Sequence, residues 1–211
     1  MPASDPKPGH PKPGLRRIRL LLWALVGVAV LALAWMQLIS PRLQSLQDSG
    51  TANLGRGDYQ LVTTDGGSFT QDSLKGQPSA VFFGFTHCPD VCPTTLGDIA
   101  GWQQDLGQTG KSLRVFFVTV DPERDTAQTL KDYVSWVPGV TGVSGTPDEI
   151  AKATRAFRIY ARKVPTEGGG YTMDHSAMLL LFDAEGRYSG LIGYQEDPAR
   201  ARASLEKLLA G

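Results

Sequence analysis

An uncharged stretch near the amino end divides the chain. From Leu20 through Pro41 there is no Asp, Glu, Lys or Arg, and Leu20–Met36 is apolar throughout apart from Gly27, with Leu38 and Ile39 extending it. About 20 residues rising about 1.5 Å each give roughly 30 Å, enough to cross the hydrocarbon core of a bilayer. Trp23 and Trp35 fall near its two ends, where amphipathic rings prefer the interface. Residues 1–19 carry Lys7, Lys12, Arg16, Arg17 and Arg19 against Asp5 alone, a net charge of +4. Basic residues on the amino side hold that end in the cytoplasm, so everything after the run is exported.

A cleaved secretory signal is the competing reading, with Leu20–Leu31 as its apolar region and Ala32-Leu33-Ala34 as the cleavage site. The apolar run continues past that site, which favours an anchor that stays. Either way the exported part meets an oxidising compartment, where two free thiols need a reductant or a metal. The sequence lacks a Ser/Arg-rich amphipathic presequence, so the expected location is a bacterial inner membrane, single-pass, with the C-terminal domain periplasmic. The layout expected is a basic cytoplasmic tail over 1–19, an anchor over 20–39, a Gly- and Ser-containing linker over 40–57 and a folded domain over 58–211. The Pro/Lys/Gly-rich start, Pro2–Gly14, reads as disordered. The zero net charge of the whole chain is therefore an average, because residues 42–211 hold 16 basic and 20 acidic side chains. That balance excludes a protein that coats nucleic acid.

Within the domain, strands and helices alternate. Tyr59–Thr63 and Ser68–Thr70 flank Asp65-Gly66-Gly67, a hairpin signal. Ala80–Phe85, Val115–Val120 and Ala177–Phe182 are continuous apolar runs of strand length, the pattern of strands buried on both faces. Leu96, Ile99, Trp102 and Leu106 mark a helix after the first run, and Leu130, Tyr133, Val134 and Val137 mark one that Pro138-Gly139 ends. Thr146-Pro147-Asp148-Glu149 reads as a capped helix start with Glu149 closing a capping box, and Ile150, Ala153 and Phe157 as its inner stripe. Asp183–Arg187 turns the third run into Tyr188–Gly193, and Asp197-Pro198 opens a last helix with Ala201, Leu205, Leu208 and Leu209 inward. The expected architecture is an α/β sandwich, a central mixed sheet flanked by helices, preceded by the single membrane helix.

The chemistry is concentrated in a few residues. The chain has 2 Cys and 3 His, too few for a disulfide scaffold or a four-thiolate zinc site. Both cysteines lie in Phe85-Thr-His-Cys-Pro-Asp-Val-Cys-Pro93, between a buried strand and the next helix. The unpaired N–H groups and positive dipole of a helix start stabilise a thiolate. A Cys-x-x-x-Cys spacing brings the sulfurs to one side of a turn or helix, where they can close a disulfide or bind one soft ion. A plain stabilising disulfide is the simplest use of two exported cysteines, but a bridge over so short a loop constrains little of the unfolded chain. His175 stands between a triple glycine, Gly168–Gly170, and the third apolar run. In a thioredoxin-like arrangement that position packs against the cysteine turn. Two thiolates and an imidazole favour Cu(I) or Cu(II), with Zn(II) as the alternative if water supplies a fourth ligand.

Phe82–Thr95 (FFGFTHCPDVCPTT), Val118–Thr126 (VTVDPERDT) and Tyr171–Ser176 (YTMDHS) resemble the Sco (SenC-type) copper-binding proteins used in assembling cytochrome c oxidase. The likeness runs from about Asp58 to the C-terminus. It implies a thioredoxin-like domain that binds one copper through Cys88, Cys92 and His175. It further implies a metallochaperone whose partner is the dinuclear copper site of cytochrome c oxidase subunit II.

Neighbouring residues have weaker claims. His87 adjoins Cys88, but successive side chains diverge, so it reads as a non-ligand; His10 lies in the tail. Met173 either assists transfer or packs its loop. Asp174 is a candidate to orient the site, and Asp121 either faces the same rim or caps the helix at Thr126. Phe82, Phe83, Phe116 and Phe117 read as core. The rival function is a thiol–disulfide oxidoreductase that reduces the partner's cysteines. Against it, the spacing is not Cys-x-x-Cys, and no proline stands before Ala177 where thioredoxins place one.

Overall fold

Six consecutive buried residues, Ser79–Gly84, form the strand on which the domain is built. In a computed structural model that describes residues 13–38 and 50–210, we label the elements in chain order. They are α1 (Pro13–Leu38), β1 (Leu61–Thr63), β2 (Ser68–Phe69), β3 (Ser79–Gly84), α2 (Val91–Gly107), β4 (Arg114–Thr119), α3 (Ala127–Val134) and β5 (Val140–Ser144). There follow α4 (Pro147–Ala156), β6 (Ala161–Pro165), β7 (Tyr171–His175), β8 (Met178–Phe182), β9 (Tyr188–Gly193) and α5 (Pro198–Ala210). The chain divides into two units, residues 1–49 and 50–211. The first contains α1, whose segment Arg16–Trp35 is long and apolar enough to cross a membrane. His10, Lys7, Lys12, Ile39 and most of the expected linker lie outside the described residues.

The second unit has a seven-stranded mixed sheet in the order β2-β1-β5-β4-β3-β8-β9. β3, β4 and β5 are parallel, with α2 and α3 as crossovers, while β8 runs antiparallel to β3. This is the expected thioredoxin-like α/β arrangement. Because β3 and β4 are central, both their faces are buried, and their phenylalanines pack the core as expected; the Phe82 and Phe117 rings meet edge-on at 5.6 Å. Leu96 and Ile99 of α2 are buried, with Trp102 and Leu106 half-buried beside them.

Several sequence expectations change. β5 is a strand that the apolar pattern does not announce; its short run is interrupted by Gly142, where an added Cβ would meet Thr64 Cγ2 at 2.7 Å. Apolar periodicity cannot flag a strand whose close packing demands a glycine. β6 and β7 form a separate two-stranded hairpin that alternation does not reveal, because both strands are largely half-exposed and polar. The expected linker ends early: Leu54 is buried in the core, and Gly55 sits at φ 78° with its missing Cβ space bounded at 3.1 Å by Leu74, Phe157 and Phe182. Gly55 is there for close packing rather than flexibility. α3 stops at Val134, before Pro138. Thr146 accepts the Glu149 N–H, but Glu149 does not return the bond; its carboxylate accepts the Gln60 N–H at 2.6 Å and pairs with Lys152. In α5, Ala201, Leu205 and Leu208 are buried and Leu209 only half-buried.

Candidate metal centre

The register of two strands brings distant donors together. β8 pairs with β3 antiparallel, Phe82 opposite Leu179, so the chain leaving β3 toward Cys88 runs beside the chain entering β8 from His175. Open α/β sheets gather ligand sites at the carboxyl ends of their strands. Phe85 follows β3, a turn closes with Cys88 N–H donating to the Phe85 carbonyl at 3.2 Å, and α2 starts at Val91. Cys92 is the second residue of that helix and is fully buried, whereas Cys88 is half-buried ahead of it.

Both cysteines are free, and together with His175 their donor atoms lie within 4.8 Å of one another. The Cys92 Sγ and His175 Nε2 are 3.8 Å apart. The Cys92 N–H donates to Cys88 Sγ at 3.3 Å, so a sulfur takes one of the donors that a helix start leaves unpaired. His175 Nδ1 donates to the Ser176 carbonyl at 3.0 Å. A carbonyl only accepts, so in the neutral ring Nδ1 keeps its proton and Nε2 turns a lone pair toward the sulfurs. Bonds of about 2.3 Å from sulfur and about 2.0 Å from nitrogen, as in zinc sites, put donors sharing one ion roughly 3.5–4 Å apart. The donor set fits a soft or borderline ion with little closure.

The two thiols are electrostatically unlike. Cys88 is drawn down to about 4, chiefly because the Cys92 side chain hydrogen-bonds to its sulfur; the His175 ring and the Cys92 N–H add to this against burial. Cys92 is pushed above the usual thiol range by its hydrogen bond to the Cys88 sulfur and by burial. The two shifts run in opposite directions, with Cys92 buried and Cys88 half-buried ahead of it. Gly84 makes room for this, since a Cβ there would meet Phe117 Cζ at 2.7 Å and Cys92 Sγ at 2.8 Å. Cys88 and His175 open onto a cavity of about 210 Å³ that Phe85, Val91, Met173 and Ala177 also line.

Every expected ligand is thus in one place, and some expected helpers are not. His87 points away: its Nδ1 lies 3.1 Å from the Thr86 hydroxyl and 3.8 Å from the Asp125 carboxylate. Asp174 is exposed and does not orient His175, because the Ser176 carbonyl fixes the ring. Met173 packs against the core while lining the cavity. Asp121 is buried and caps nothing; Thr126 itself caps α3, accepting the Thr129 N–H at 3.1 Å. Asp121 instead accepts from the Tyr171 hydroxyl at 2.8 Å and from Arg124 Nε.

Asp125 and Gly84 were not legible as site residues. Asp125 accepts the Thr86 N–H at 3.1 Å and the Thr86 and Thr119 hydroxyls at 2.6 Å each. An acidic residue in a polar segment gives no sequence signal for burial.

The SCO1/SenC family model matches residues 47–210 of this chain. A solved structure, Bradyrhizobium japonicum ScoI with copper bound, is 44% identical and superimposes with a TM-score of 0.66 over 74% of this chain and 99% of that one. Arabidopsis thaliana ScoI with copper bound is 32% identical, with a TM-score of 0.68 over 74% of this chain and 98% of that one. Among curated relatives, the mitochondrial SCO2 homolog of Bos taurus is 35% identical over 198 residues, 89% of this chain and 74% of the bovine protein. The mitochondrial SCO1 homolog 1 of Arabidopsis thaliana is 35% identical over 151 residues, 71% of this chain but only 45% of the plant protein.

Proposed function

The chain belongs to the SCO1/SenC family, and from that membership and the thiol–imidazole cluster we propose that it is a membrane-anchored copper metallochaperone. Copper is held by the sulfurs of Cys88 and Cys92 and by His175 Nε2, and is delivered to the dinuclear copper site of cytochrome c oxidase subunit II. The observation that carries this reading is the convergence of three soft or borderline donors within 4.8 Å at the edge of an open cavity. The copper-bound relatives support the choice of metal.

Handover proceeds by ligand exchange. Three protein donors leave a coordination position through which a partner thiolate enters from the cavity, and each incoming donor releases one of the three. Helix α1 anchors the protein with residues 1–19 in the cytoplasm and the domain in the periplasm of a bacterial inner membrane. Donor and acceptor then share one membrane face, which raises their effective concentration.

The test is a copper titration of the reduced, detergent-solubilised chain. One copper per chain is expected, with strong sulfur-to-copper charge-transfer absorption in the Cu(II) form. His175→Ala is expected to weaken binding by more than the about 10–100-fold typical of outer-shell groups, and the Cys88→Ser, Cys92→Ser double variant to abolish it. Equal binding by the double variant would overturn the assignment.

One observation favours a second reading, a thiol–disulfide oxidoreductase: a partly exposed cysteine, whose sulfur accepts an N–H of the helix start, stands beside a buried one. In that reaction Cys88 attacks a partner disulfide and displaces one partner thiolate. Cys92 then loses its proton and attacks the Cys88 sulfur, releasing the second partner thiolate. The partner gains two electrons and a Cys88–Cys92 disulfide forms. Mixing the copper-loaded chain with apo subunit II and following metal and disulfides together separates the two. Copper movement supports the chaperone, and disulfide exchange without it supports the reductase.

A further inference from the structure

The two arms of the site are joined by one short turn that contributes no ligand. The arms approach from different sheets, Cys88 and Cys92 from the end of β3 and His175 from the separate β6–β7 hairpin. Between them lies the turn 121–125, closed on itself by the Arg124 and Asp125 N–H groups donating to the Asp121 carbonyl at 3.2 and 3.0 Å.

Each end of the turn grips one arm. Asp125, 1% exposed, takes both the backbone N–H and the hydroxyl of Thr86, two residues before Cys88. Its third partner, the Thr119 hydroxyl, ties it back to β4. At the other end Asp121, fully buried, accepts the Tyr171 hydroxyl, and Arg124 donates from Nη1 to the Tyr171 carbonyl at 2.9 Å. The Arg124 guanidinium carbon lies 3.9 Å from the Tyr171 ring centroid and 5.9 Å from that of Phe85, so one cation spans the hairpin and the cysteine arm. Tyr171 and His175 stand on the same face of β7, because side chains two and four apart along a strand point the same way. Anchoring Tyr171 therefore sets the roll of the strand that aims His175.

We propose that the turn Asp121–Asp125 is a two-ended positioning device that sets the spacing between the thiols and the imidazole. Asp125 holds the cysteine arm through Thr86, while Asp121 and Arg124 hold the histidine arm through Tyr171. These are positioning residues, since none contacts the donor atoms. Outer-shell groups of this kind change metal affinity by about 10–100-fold. The proposal rests on the reading of Cys88, Cys92 and His175 as the copper ligands, and its chemistry is specific. Arg124 must present Nε and Nη1 together, which a lysine cannot do. Tyr171 must supply a hydroxyl, which phenylalanine lacks.

The experiment uses the full chain in detergent with three variants, Tyr171→Phe, Arg124→Lys and Asp125→Asn. In the apo protein, the His175 ring nitrogen resonances are expected to shift in the first two variants, with the rate of Cys88 alkylation unchanged in Tyr171→Phe. Asp125→Asn is expected to do the reverse. With copper, each folded variant loses about 10-fold or more in affinity and shows an altered charge-transfer spectrum. Should Asp125→Asn fail to fold, Tyr171→Phe, which removes a single oxygen, carries the test alone.

Folded variants with lower melting temperatures but unchanged apo resonances, thiol reactivity, affinity and spectrum would reduce the turn to a structural element and overturn the proposal. If the unmodified chain binds no copper, the ligand assignment fails instead, and the apo resonances still decide whether the turn sets the spacing.

Discussion

The cysteine arm and the histidine arm meet at one point but are built on opposite principles. Cys92 is fully buried on the first turn of a 17-residue helix, above a strand with no exposed residue. His175 ends a five-residue strand that has no buried residue and, among the described residues, pairs only with β6. The first arm is fixed by core packing, where a displaced methyl group is felt. The second is held by polar contacts, through Ser176 at its base and Tyr171 at its far end, and by Met173 and the His175 ring against the edge of the core. The histidine arm can therefore shift with less disturbance of the core than the cysteine arm.

The largest effect is expected at the polar seam between the arms. Asp125→Ala leaves the Thr86 N–H and two hydroxyls without their acceptor, and an unmade buried bond costs about 1–3 kcal/mol. Urea denaturation is expected to show a loss of about 3 kcal/mol or more. A loss below about 1 kcal/mol would mean that water replaces the carboxylate and that the seam is not closed.

Thiol chemistry comes next. With Cys88 held near 4, its thiolate fraction is flat from about pH 6 to 8 and falls only as protons return to the sulfur below about pH 5. Iodoacetamide is therefore expected to modify Cys88 at a nearly constant rate across pH 6–8, with Cys92 at least about 100-fold slower. In Cys92→Ala the leading hydrogen bond is gone, and the Cys88 rate should again climb with pH through the ordinary thiol range. A profile identical to that of the unmodified chain would refute the role of Cys92 in lowering Cys88.

Gly84→Ala probes the packed arm directly. The added carbon meets Phe117 and Cys92 under 3 Å, so the helix start must shift, at about 1–3 kcal/mol by analogy with overpacked cores. Mass spectrometry after brief alkylation should find Cys92 more reactive. The smallest effect belongs to the histidine arm's surface: Asp174→Ala, at an exposed position, is expected to leave unfolding within about 0.5 kcal/mol. Hydrogen exchange should show β6 and β7 amides opening well before those of β3, and equal protection would erase the contrast between the arms.

How much of this could be read in advance follows the same division. The packed arm was legible because it is written in apolar runs: Ala80–Phe85 and Val115–Val120 announce buried strands, and the Cys-x-x-x-Cys after the first marks the site. The hairpin was not, because Ala161–Pro165 and Tyr171–His175 lack a buried face and so lack alternation. Asp121 reads equally as a rim or a capping residue and Asp125 gives no signal of its own, since a buried carboxylate and a solvated one look alike in a sequence. Their burial depends on Thr86, Arg124 and Tyr171, as much as 50 positions away.

By itself, the sequence determined an apolar run long enough to cross a membrane, the buried central strands, the inventory of two thiols and three imidazoles, and the family resemblance. Local pattern is enough for these, because apolar periodicity and short motifs need only neighbouring residues. The tertiary structure alone decided that His175 meets Cys92 from 83 positions away, that Asp125 and Asp121 are buried against Thr86 and Tyr171, and that Cys92 is buried while Cys88 opens onto the cavity. Those outcomes depend on distances between segments that are remote in the chain, which the register of β8 on β3 brings to within a few ångströms.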